Sequence, residues 1–387
     1  MVDTKIISFR SPSHILAGMG AIDQLKEEVK VFNAKSALLV TDKGILEFGL
    51  DQKVREQLQD AGIEIDIFDQ VISDPDIACA DACTEMAKAG NYDLIVGLGG
   101  GSPMDIASAA AVMCTNPGSI HDYLGIGLVK NPGIPSVLIP TTSGTGAEAT
   151  PNSILADTEA KLKKAIVSPH IFADLVILDP ELTMTMPQDV TSWSGIDALT
   201  HAIECYTSNK ANVFSDLLAE DAIIRIGRSL RTAVADGNNT EARYDMAIAS
   251  LYAGMTITLA GTTAVHALAY PLGGQYSIRH GVANGLLLPY VMEFNAMGSI
   301  EKFSDVAYLM GENVDHMTLL EQAKHAAKAV KALYEDLVIP QSLTELGIPK
   351  DAIPEMAEAA MAVTRLMGNN PRTMTAADAA EIYEKAY

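Results

Sequence analysis

The stretch Leu94-Ile-Val-Gly-Leu-Gly-Gly-Gly-Ser-Pro103 decides the fold of the first half of this chain. A short apolar run passes directly into three glycines, and a Ser-Pro pair typical of a helix start follows. This order predicts a buried strand whose carboxyl end turns into a helix that Ser102 caps and Pro103 begins. Backbone amides at such a turn favour phosphate. We therefore expect a phosphate-binding loop formed by Gly99, Gly100, Gly101 and Ser102.

Further apolar runs lie on both sides of this stretch and alternate with helical segments. Residues 36–41, 64–68, 92–97 and 136–140 are predicted strands, with helices to about residue 61, over 76–89 and from Pro103. This alternation predicts an open, mostly parallel, doubly wound and Rossmann-like α/β sheet. Beyond Pro187 the Ala-, Leu- and Met-rich periodicity predicts an all-α second half.

The length of 387 residues exceeds what one hydrophobic core usually fills. We therefore expect two domains. The first, residues 1–185, is predicted to be an α/β dinucleotide-binding domain. The second, residues 186–387, is predicted to be a helical domain that carries a metal centre and the catalytic site.

Two other predicted strands end in residues suited to a nucleotide. Pro140-Thr-Thr-Ser-Gly-Thr-Gly146 follows one strand, and its Thr141 and Thr142 are placed to line the other side of a pyrophosphate. Asp42 ends the first core strand, where a carboxylate accepts hydrogen bonds from ribose hydroxyls and repels a 2′-phosphate, which favours NAD over NADP. The alternative is two tight turns of small residues without a ligand, with Asp105 in a capping box with Ser102.

Four residues in the second half form a candidate ligand set for one divalent metal. Asp197 and His201 are four residues apart on a predicted apolar helix face, so both side chains point the same way. His266 and His280 follow in apolar surroundings. Nitrogen and carboxylate ligands without sulfur suit Fe²⁺ or Zn²⁺. The alternative is an ordinary i,i+4 pair with two core histidines.

Charge and composition exclude several classes of partner. The net charge of −22 repels nucleic acid and anionic lipid, so we expect neither as a partner. No apolar run reads as a signal peptide or a membrane span, and the four cysteines show no disulfide framework. We therefore expect a cytoplasmic protein.

These residues together resemble the iron-containing (group III) alcohol dehydrogenase family, which includes lactaldehyde reductases and 1,3-propanediol dehydrogenases. Seven ordered segments over nearly the whole chain carry the resemblance: Leu38–Asp42, Gly99–Pro103, Pro140–Gly146, Gly195–His201, Pro271–Gly274, His280–Asn284 and Asn370–Arg372. The resemblance implies that Asp197, His201, His266 and His280 bind the metal. It also implies NAD contacts from Asp42, the glycine loop, Thr141 and Thr142, with Lys163 as a further candidate, and a homodimer or larger homo-oligomer.

Two residues depart from the family pattern beside the candidate ligands. Tyr270 stands where the family often has His, and we expect it either to assist proton transfer or to pack as a structural residue. Arg279 stands where the family frequently has Pro. Its guanidinium suits a sulfonate or carboxylate, although pairing with a surface carboxylate is the alternative role.

The residues and the resemblance together predict a metal-dependent, NAD(H)-linked alcohol dehydrogenase or aldehyde reductase. The expected substrate is a short-chain aldehyde or alcohol, and Arg279 favours one with an anionic tail, such as sulfoacetaldehyde reduced to isethionate. The alternative substrates are neutral, such as 1,3-propanediol, lactaldehyde or ethanol. The remote alternative is a nucleotide-binding scaffold without turnover.

Overall fold

The structure is a computed structural model that describes residues 6–158 and 162–387. Its Cα atoms form two compact units. The α/β unit contains Ser11–Pro187 and Gly237–Leu251, and the helical unit contains Gln188–Asp236, Tyr252–Tyr387 and the segment that ends at Arg10. The predicted domain boundary lies two residues before the crossing at Pro187 and, as a division of function, remains a prediction.

The first half of the chain alternates strands and helices. In chain order the elements are β1 His14–Ala17, α1 Leu25–Glu28, β2 Ser36–Val40, α2 Lys43–Glu47, α3 Asp51–Asp60, β3 Glu64–Phe68, α4 Ile77–Gly90, β4 Leu94–Gly99, α5 Gly101–Met113, β5 Gly125–Ile126, β6 Ser136–Pro140, β7 Asn152–Asp157, β8 Leu162–Val167 and β9 Leu175–Leu178. The four strands expected from the sequence are confirmed as β2, β3, β4 and β6.

Six of these strands form one parallel sheet in the order β1-β9-β6-β4-β2-β3. Alternate side chains of each strand enter two different cores. Leu38 and Val40 of β2 pack with residues of α4 and α5 on one face. Ala37 and Leu39 pack on the other face with residues of α1 and α3. The sheet is therefore covered on both faces, which explains its continuous apolar runs.

The strand order reverses at β2, because β3 pairs with one of its edges and β4 with the other. Ligands of open α/β sheets bind at such a switch point, beyond the carboxyl ends of the strands. Asp42 follows β2 and the Gly99–Ser102 loop follows β4. The topology therefore brings these two candidate nucleotide residues to the ends of neighbouring strands.

A second sheet of three strands was not expected. Its order is β5-β8-β7, and β7 pairs with β8 in antiparallel register. Burial alternates along β7, but hydrophobicity does not follow it, because Ser153 is buried while Ile154 is exposed, so the sequence gave a weak strand signal. Lys163, one of the candidate nucleotide contacts, lies on β8.

The second half is helical, as predicted. Its helices are α6 Gln188–Thr207, α7 Val213–Ala235, α8 Thr240–Ala260, α9 Ala264–Tyr276, α10 His280–Asn295, α11 Ile300–Leu309, α12 Leu319–Glu335, α13 Ile353–Met361, α14 Thr364–Met367 and α15 Ala376–Lys385. No single helix of the described residues has both the length and the apolar character needed to cross a membrane. Helices α8 and α9, bent by 106° at their junction, meet that length and composition test only as a pair.

Candidate active site

The four candidate ligands converge in the helical unit. Asp197 and His201 lie on consecutive turns of α6, His266 lies in the first turn of α9, and His280 is the first residue of α10. One ligand atom from each residue lies within 4.8 Å of the others. Asp197, His201 and His266 are buried, whereas His280 is half-buried. The three histidines therefore lie together with Asp197 and are not separate residues of the hydrophobic core.

Close packing of α10 on α6 brings His280 to the pair on α6. A Cβ on Gly281 would lie 2.2 Å from the carbonyl oxygen of Trp193, and a Cβ on Gly285 would lie 2.7 Å from Ile196. Contacts this short leave no room for a side chain at either position. The two glycines, one turn apart, therefore allow the backbone of α10 to approach α6 beside Asp197.

The side-chain amide of Asn284 lies among three of the four candidate ligands. Its Nδ2 lies 2.7 Å from Asp197 Oδ1, 3.2 Å from His266 Nε2 and 3.1 Å from His280 Nε2. An amide nitrogen carries two hydrogens, so it can donate to at most two of these three neighbours. Its own Oδ1 is buried without a hydrogen-bond partner among the described residues. One carboxylate and three imidazoles, each able to offer one ligand atom, fit a divalent cation such as Fe²⁺ or Zn²⁺.

Asp197 is held in its charged form despite its burial. Desolvation alone would raise the pKa of this carboxyl, but the nearby histidines and the hydrogen bond from Asn284 outweigh it, and the pKa lies below its ordinary value. The Asp197 carboxylate therefore keeps its negative charge despite burial. A buried carboxylate among imidazoles favours a cation at this position.

Glu204 is a further polar residue of this region that the sequence analysis did not identify. It lies on α6 seven residues after Asp197, and its side chain is 2% exposed. Its carboxylate is hydrogen-bonded to Nδ1 of His266, and it also accepts from the Thr263 hydroxyl at 2.6 Å and the Val265 amide at 2.7 Å. Its position on the ligand-bearing face of α6 was the available signal.

Asn284 is a second polar residue of the site, and in the sequence it is the last residue of the segment His280–Asn284 that resembles the family. It follows His280 by four residues, the same spacing that relates His201 to Asp197. That spacing predicts a shared helix face. The same reasoning that found the ligand pair on α6 would have identified Asn284 on α10.

The catalytic candidate Tyr270 and the substrate-binding candidate Arg279 both lie close to candidate ligands. Tyr270 is one turn after His266 on α9, and burial raises the pKa of its phenol, with a smaller opposing effect from Arg365. Arg279 precedes His280, and its guanidinium carbon lies 3.9 Å from the ring centroid of Trp193. Within the described part of the chain Arg279 forms no ion pair with a carboxylate, so the surface pairing considered as its alternative role is absent.

The glycine loop of the α/β unit differs in one detail from the prediction. Helix α5 begins at Gly101 and its N-cap is Gly100, so Ser102 lies inside the first turn and does not cap a helix that begins at Pro103. The physical reason is that Gly99, at φ +147°, makes the turn earlier than the Ser-Pro pair suggested. The predicted capping box of Ser102 with Asp105 is therefore wrong.

The second loop packs directly against the first. The Thr141 amide donates to the Gly99 carbonyl at 2.9 Å. A Cβ on Gly100 would lie 3.4 Å from Thr142 Oγ1, and one on Gly101 would lie 3.0 Å from Thr145. The small residues of the two loops therefore allow them to approach each other at the carboxyl ends of β4 and β6.

The remaining candidate nucleotide residues have structural partners. The Asp42 carboxylate caps α2 by accepting from the Ile45 amide at 3.1 Å. The Lys163 ammonium pairs with Asp74 at 2.6 Å. Asp105, one turn into α5, has a pKa well above its ordinary value because the surrounding protein excludes water from it. The helix cap made by Asp42 and the ion pair made by Lys163 each give the residue a structural role that needs no bound nucleotide.

Comparisons with known sequences identify a common family over both halves of the chain. Residues 12–180 match the sequence profile of iron-containing alcohol dehydrogenases, and residues 191–387 match that of the C-terminal part of the Fe-containing alcohol dehydrogenase family. The chain is 39% identical to a long-chain-alcohol dehydrogenase of Geobacillus thermodenitrificans, over 98% of this chain and 96% of the relative. It is also 39% identical to a 1,3-propanediol dehydrogenase of Citrobacter freundii, over 99% of each.

A sulfoacetaldehyde reductase of Bilophila wadsworthia is 38% identical, over 92% of this chain and 93% of the relative. Among solved structures, a 1,3-propanediol oxidoreductase superposes with a TM-score of 0.96 at 39% identity, covering 99% of this chain and 100% of the other. A sulfoacetaldehyde reductase of Bifidobacterium kashiwanohense, solved with NAD⁺, gives 0.87 at 30% identity, with 99% of each chain covered. The chain therefore belongs to the iron-containing alcohol dehydrogenase family.

Proposed function

We propose that this protein is a metal-dependent, NAD(H)-linked dehydrogenase that interconverts a short aldehyde and its alcohol. The observation that carries the proposal is the convergence of four ligand atoms, from Asp197, His201, His266 and His280, within 4.8 Å of one another. These residues would hold one Fe²⁺ or Zn²⁺ ion. When bound, such an ion supplies a Lewis acid that polarises a carbonyl or alcohol oxygen.

The α/β unit supports NAD(H) as the redox partner. The Gly99–Ser102 loop starts α5, so its amides and the positive end of the helix favour a pyrophosphate. Asp42 follows the neighbouring strand, where its carboxylate would accept from ribose hydroxyls and repel a 2′-phosphate. The related sulfoacetaldehyde reductase solved with NAD⁺ is in line with this choice. We propose contacts from Thr141, Thr142 and Lys163 as well.

Tyr270 would act as a neutral phenol. Burial raises its pKa, so the hydroxyl keeps its proton at neutral pH and is not a base. The side chain lies one turn from His266, which is close enough to shape the space beside the ligands. We propose that it orients the substrate and leaves proton exchange to water.

Arg279 supports a substrate with an anionic tail. Its guanidinium stacks on Trp193 at 3.9 Å, and this contact holds the group in place while leaving its N–H donors in the guanidinium plane. Because the protein carries a net charge of −22, an anionic substrate needs such a local cation. We propose sulfoacetaldehyde, reduced to isethionate, as the specific substrate. Neutral diols or alcohols remain the alternative, since relatives named for both kinds of substrate are 38–39% identical to this chain.

The metal assignment is tested by metal content together with turnover. We expect His280→Ala to lower both bound iron or zinc and NADH-dependent aldehyde reduction, because the variant removes one ligand. His325→Ala is the matched control, since His325 of α12 pairs with Glu312 at 2.9 Å and is not one of the four candidate ligands. Full activity in protein stripped of metal would reject the assignment. Absence of turnover with every aldehyde in metal-loaded protein would favour the nucleotide-binding scaffold.

The substrate assignment is tested by a ratio. We expect kcat/KM for sulfoacetaldehyde to exceed that for propanal, and Arg279→Met to reduce the ratio by about 10- to 100-fold, the scale of a hydrogen bond to a charged group. Arg231→Met is the control, because that arginine pairs with Asp336 on the surface. An unchanged ratio in Arg279→Met would make a neutral alcohol or diol the substrate.

We also propose that the enzyme is a cytoplasmic homo-oligomer. The oligomeric state can be measured by analytical sedimentation.

A further inference from the structure

The buried carboxylate of Glu204 has two oxygens with different partners. One oxygen accepts from two donors, the Thr263 hydroxyl at 2.6 Å and the Val265 amide at 2.7 Å. The other oxygen is hydrogen-bonded to Nδ1 of His266. The backbone amide can only donate, so the first oxygen must remain an acceptor and the orientation of the carboxylate is fixed.

This arrangement determines which ring nitrogen of His266 carries the proton. An ionised carboxylate has no hydrogen to donate, so the hydrogen bond requires a proton on Nδ1. A neutral imidazole with its proton on Nδ1 presents a lone pair at Nε2. Nε2 is the atom that faces the other ligands, at 3.2 Å from the amide nitrogen of Asn284.

We propose that Glu204 is a positioning residue that fixes the tautomer and the ring orientation of His266 and thereby sets the metal affinity of the centre. The inference rests on the proposed metal centre. A carboxylate behind a ligating histidine commonly changes metal affinity by about 10- to 100-fold. The position of Glu204, three residues after His201 on α6, lets one helix supply two ligands and the support for a third.

A purely structural role is the competing explanation. Thr263, the N-cap of α9, makes no side-chain hydrogen bond to its own helix, and Glu204 accepts from the Val265 amide in the first turn instead. Glu204 therefore also stabilises the start of α9. The test must separate this capping contribution from the effect on His266.

The decisive variant is Glu204→Gln. The Val265 amide requires an acceptor, so the glutamine oxygen keeps that position and the NH₂ group faces His266 Nδ1. This donor favours the opposite tautomer, with the proton on Nε2, where it blocks the lone pair that faces the ligands. The cap of α9 is retained. We expect metal affinity, measured by chelator competition on zinc-loaded protein, to fall about 10- to 100-fold, with an altered visible spectrum after cobalt substitution.

Thr263→Val is the matched control. It removes the 2.6 Å hydrogen bond to the same carboxylate but keeps the contact with His266. We expect it to lower the melting temperature while metal affinity stays within about twofold of the wild type. If Thr263→Val and Glu204→Gln weaken metal binding equally, or if Glu204→Gln binds zinc as tightly as the wild type, the proposal is wrong.

A measurement on the wild type covers the case in which Glu204→Gln does not fold. In zinc-loaded protein labelled with ¹⁵N-histidine, we expect the His266 signal, assigned with a His266→Asn variant, to show a proton on Nδ1. Zinc coordinated by Nδ1 would overturn the proposal. Wild-type protein that binds no metal would instead overturn the proposed metal centre, so the two failures are distinguishable.

Discussion

Glu148 lies in the short 3₁₀ helix Ala147–Ala149 that follows the second glycine loop, and its burial predicts a pH-dependent stability. The side chain belongs to a residue that is 1% exposed, and its Oε1 has no hydrogen-bond partner among the described residues. Burial raises the pKa of this carboxyl from 4.5 to about 7. Because the folded protein holds the proton more tightly than the unfolded chain, the native state is penalised wherever the unfolded carboxyl has ionised.

The sign and size of the effect follow from these two pKa values. Below pH 4.5 both states are protonated and Glu148 has no effect. As the pH rises from 4.5 to about 7, stability falls, and above pH 7 the loss is complete. At 1.36 kcal/mol per pKa unit the full loss is ~3 kcal/mol. For a chain of 387 residues this corresponds to ~4 °C in melting temperature.

The assay compares Glu148→Gln with the wild type between pH 4.5 and 8. Glutamine mimics the neutral acid, so we expect the melting temperature of the variant relative to the wild type to rise by ~4 °C over this range. Glu321→Gln is a control without this rise, because hydrogen bonds with Thr318 lower the pKa of this exposed carboxyl, so its contribution to stability changes mainly below pH 4.5. If the difference between Glu148→Gln and the wild type stays constant with pH, the carboxyl is not held protonated and the reasoning is refuted.

Two further predictions concern the cofactor and the phenol. Asp42→Gly is expected to weaken the use of NADH and to relieve the exclusion of NADPH. Glycine at the N-cap of α2 costs only a few tenths of a kcal/mol of stability. A wild-type preference for NADPH in steady-state kinetics would show that Asp42 does not bind the ribose hydroxyls. Tyr270→Phe is expected to retain most of kcat, since hydride transfer needs no phenol, whereas a loss beyond about 100-fold, the scale of general acid catalysis, would identify Tyr270 as the proton donor.

The strand–helix alternation and the shared helix face of the candidate ligands Asp197 and His201 could be predicted from the sequence, because both follow a fixed period. Continuous apolar runs identified β2, β4 and β6, and the spacing of four residues placed Asp197 and His201 on one helix face. The weakly patterned strands β7 and β8 were not predicted. Local rules also misplaced the start of α5, because a glycine turn can begin a helix before the residues that usually cap it.

The contacts that depend on tertiary packing were beyond the sequence. Nothing local indicates that Glu204 faces the start of α9 or that Arg279 stacks on Trp193, since both contacts require α9 and α10 to pack beside α6. Gly281 is required for the close packing of α10 on α6. The sequence alone does not show this, because the requirement comes from the carbonyl of Trp193, which lies where a side chain of residue 281 would be. Long-range contacts of this kind need the coordinates of two elements at once.

Four side chains with different roles follow one another along α6 at spacings of four, four and three residues: Trp193, Asp197, His201 and Glu204. Trp193 contacts Arg279, Asp197 and His201 offer two of the four candidate metal ligands, and Glu204 is hydrogen-bonded to His266. Over the eleven residues from Trp193 to Glu204 the helix rises ~16 Å, so the proposed substrate contact and the support for the metal lie at opposite ends of one rigid element. Trp193 is also one turn before Asp197, and Arg279 is next to His280, so the proposed substrate contact lies beside two of the candidate metal ligands while Glu204 supports His266 from the far end.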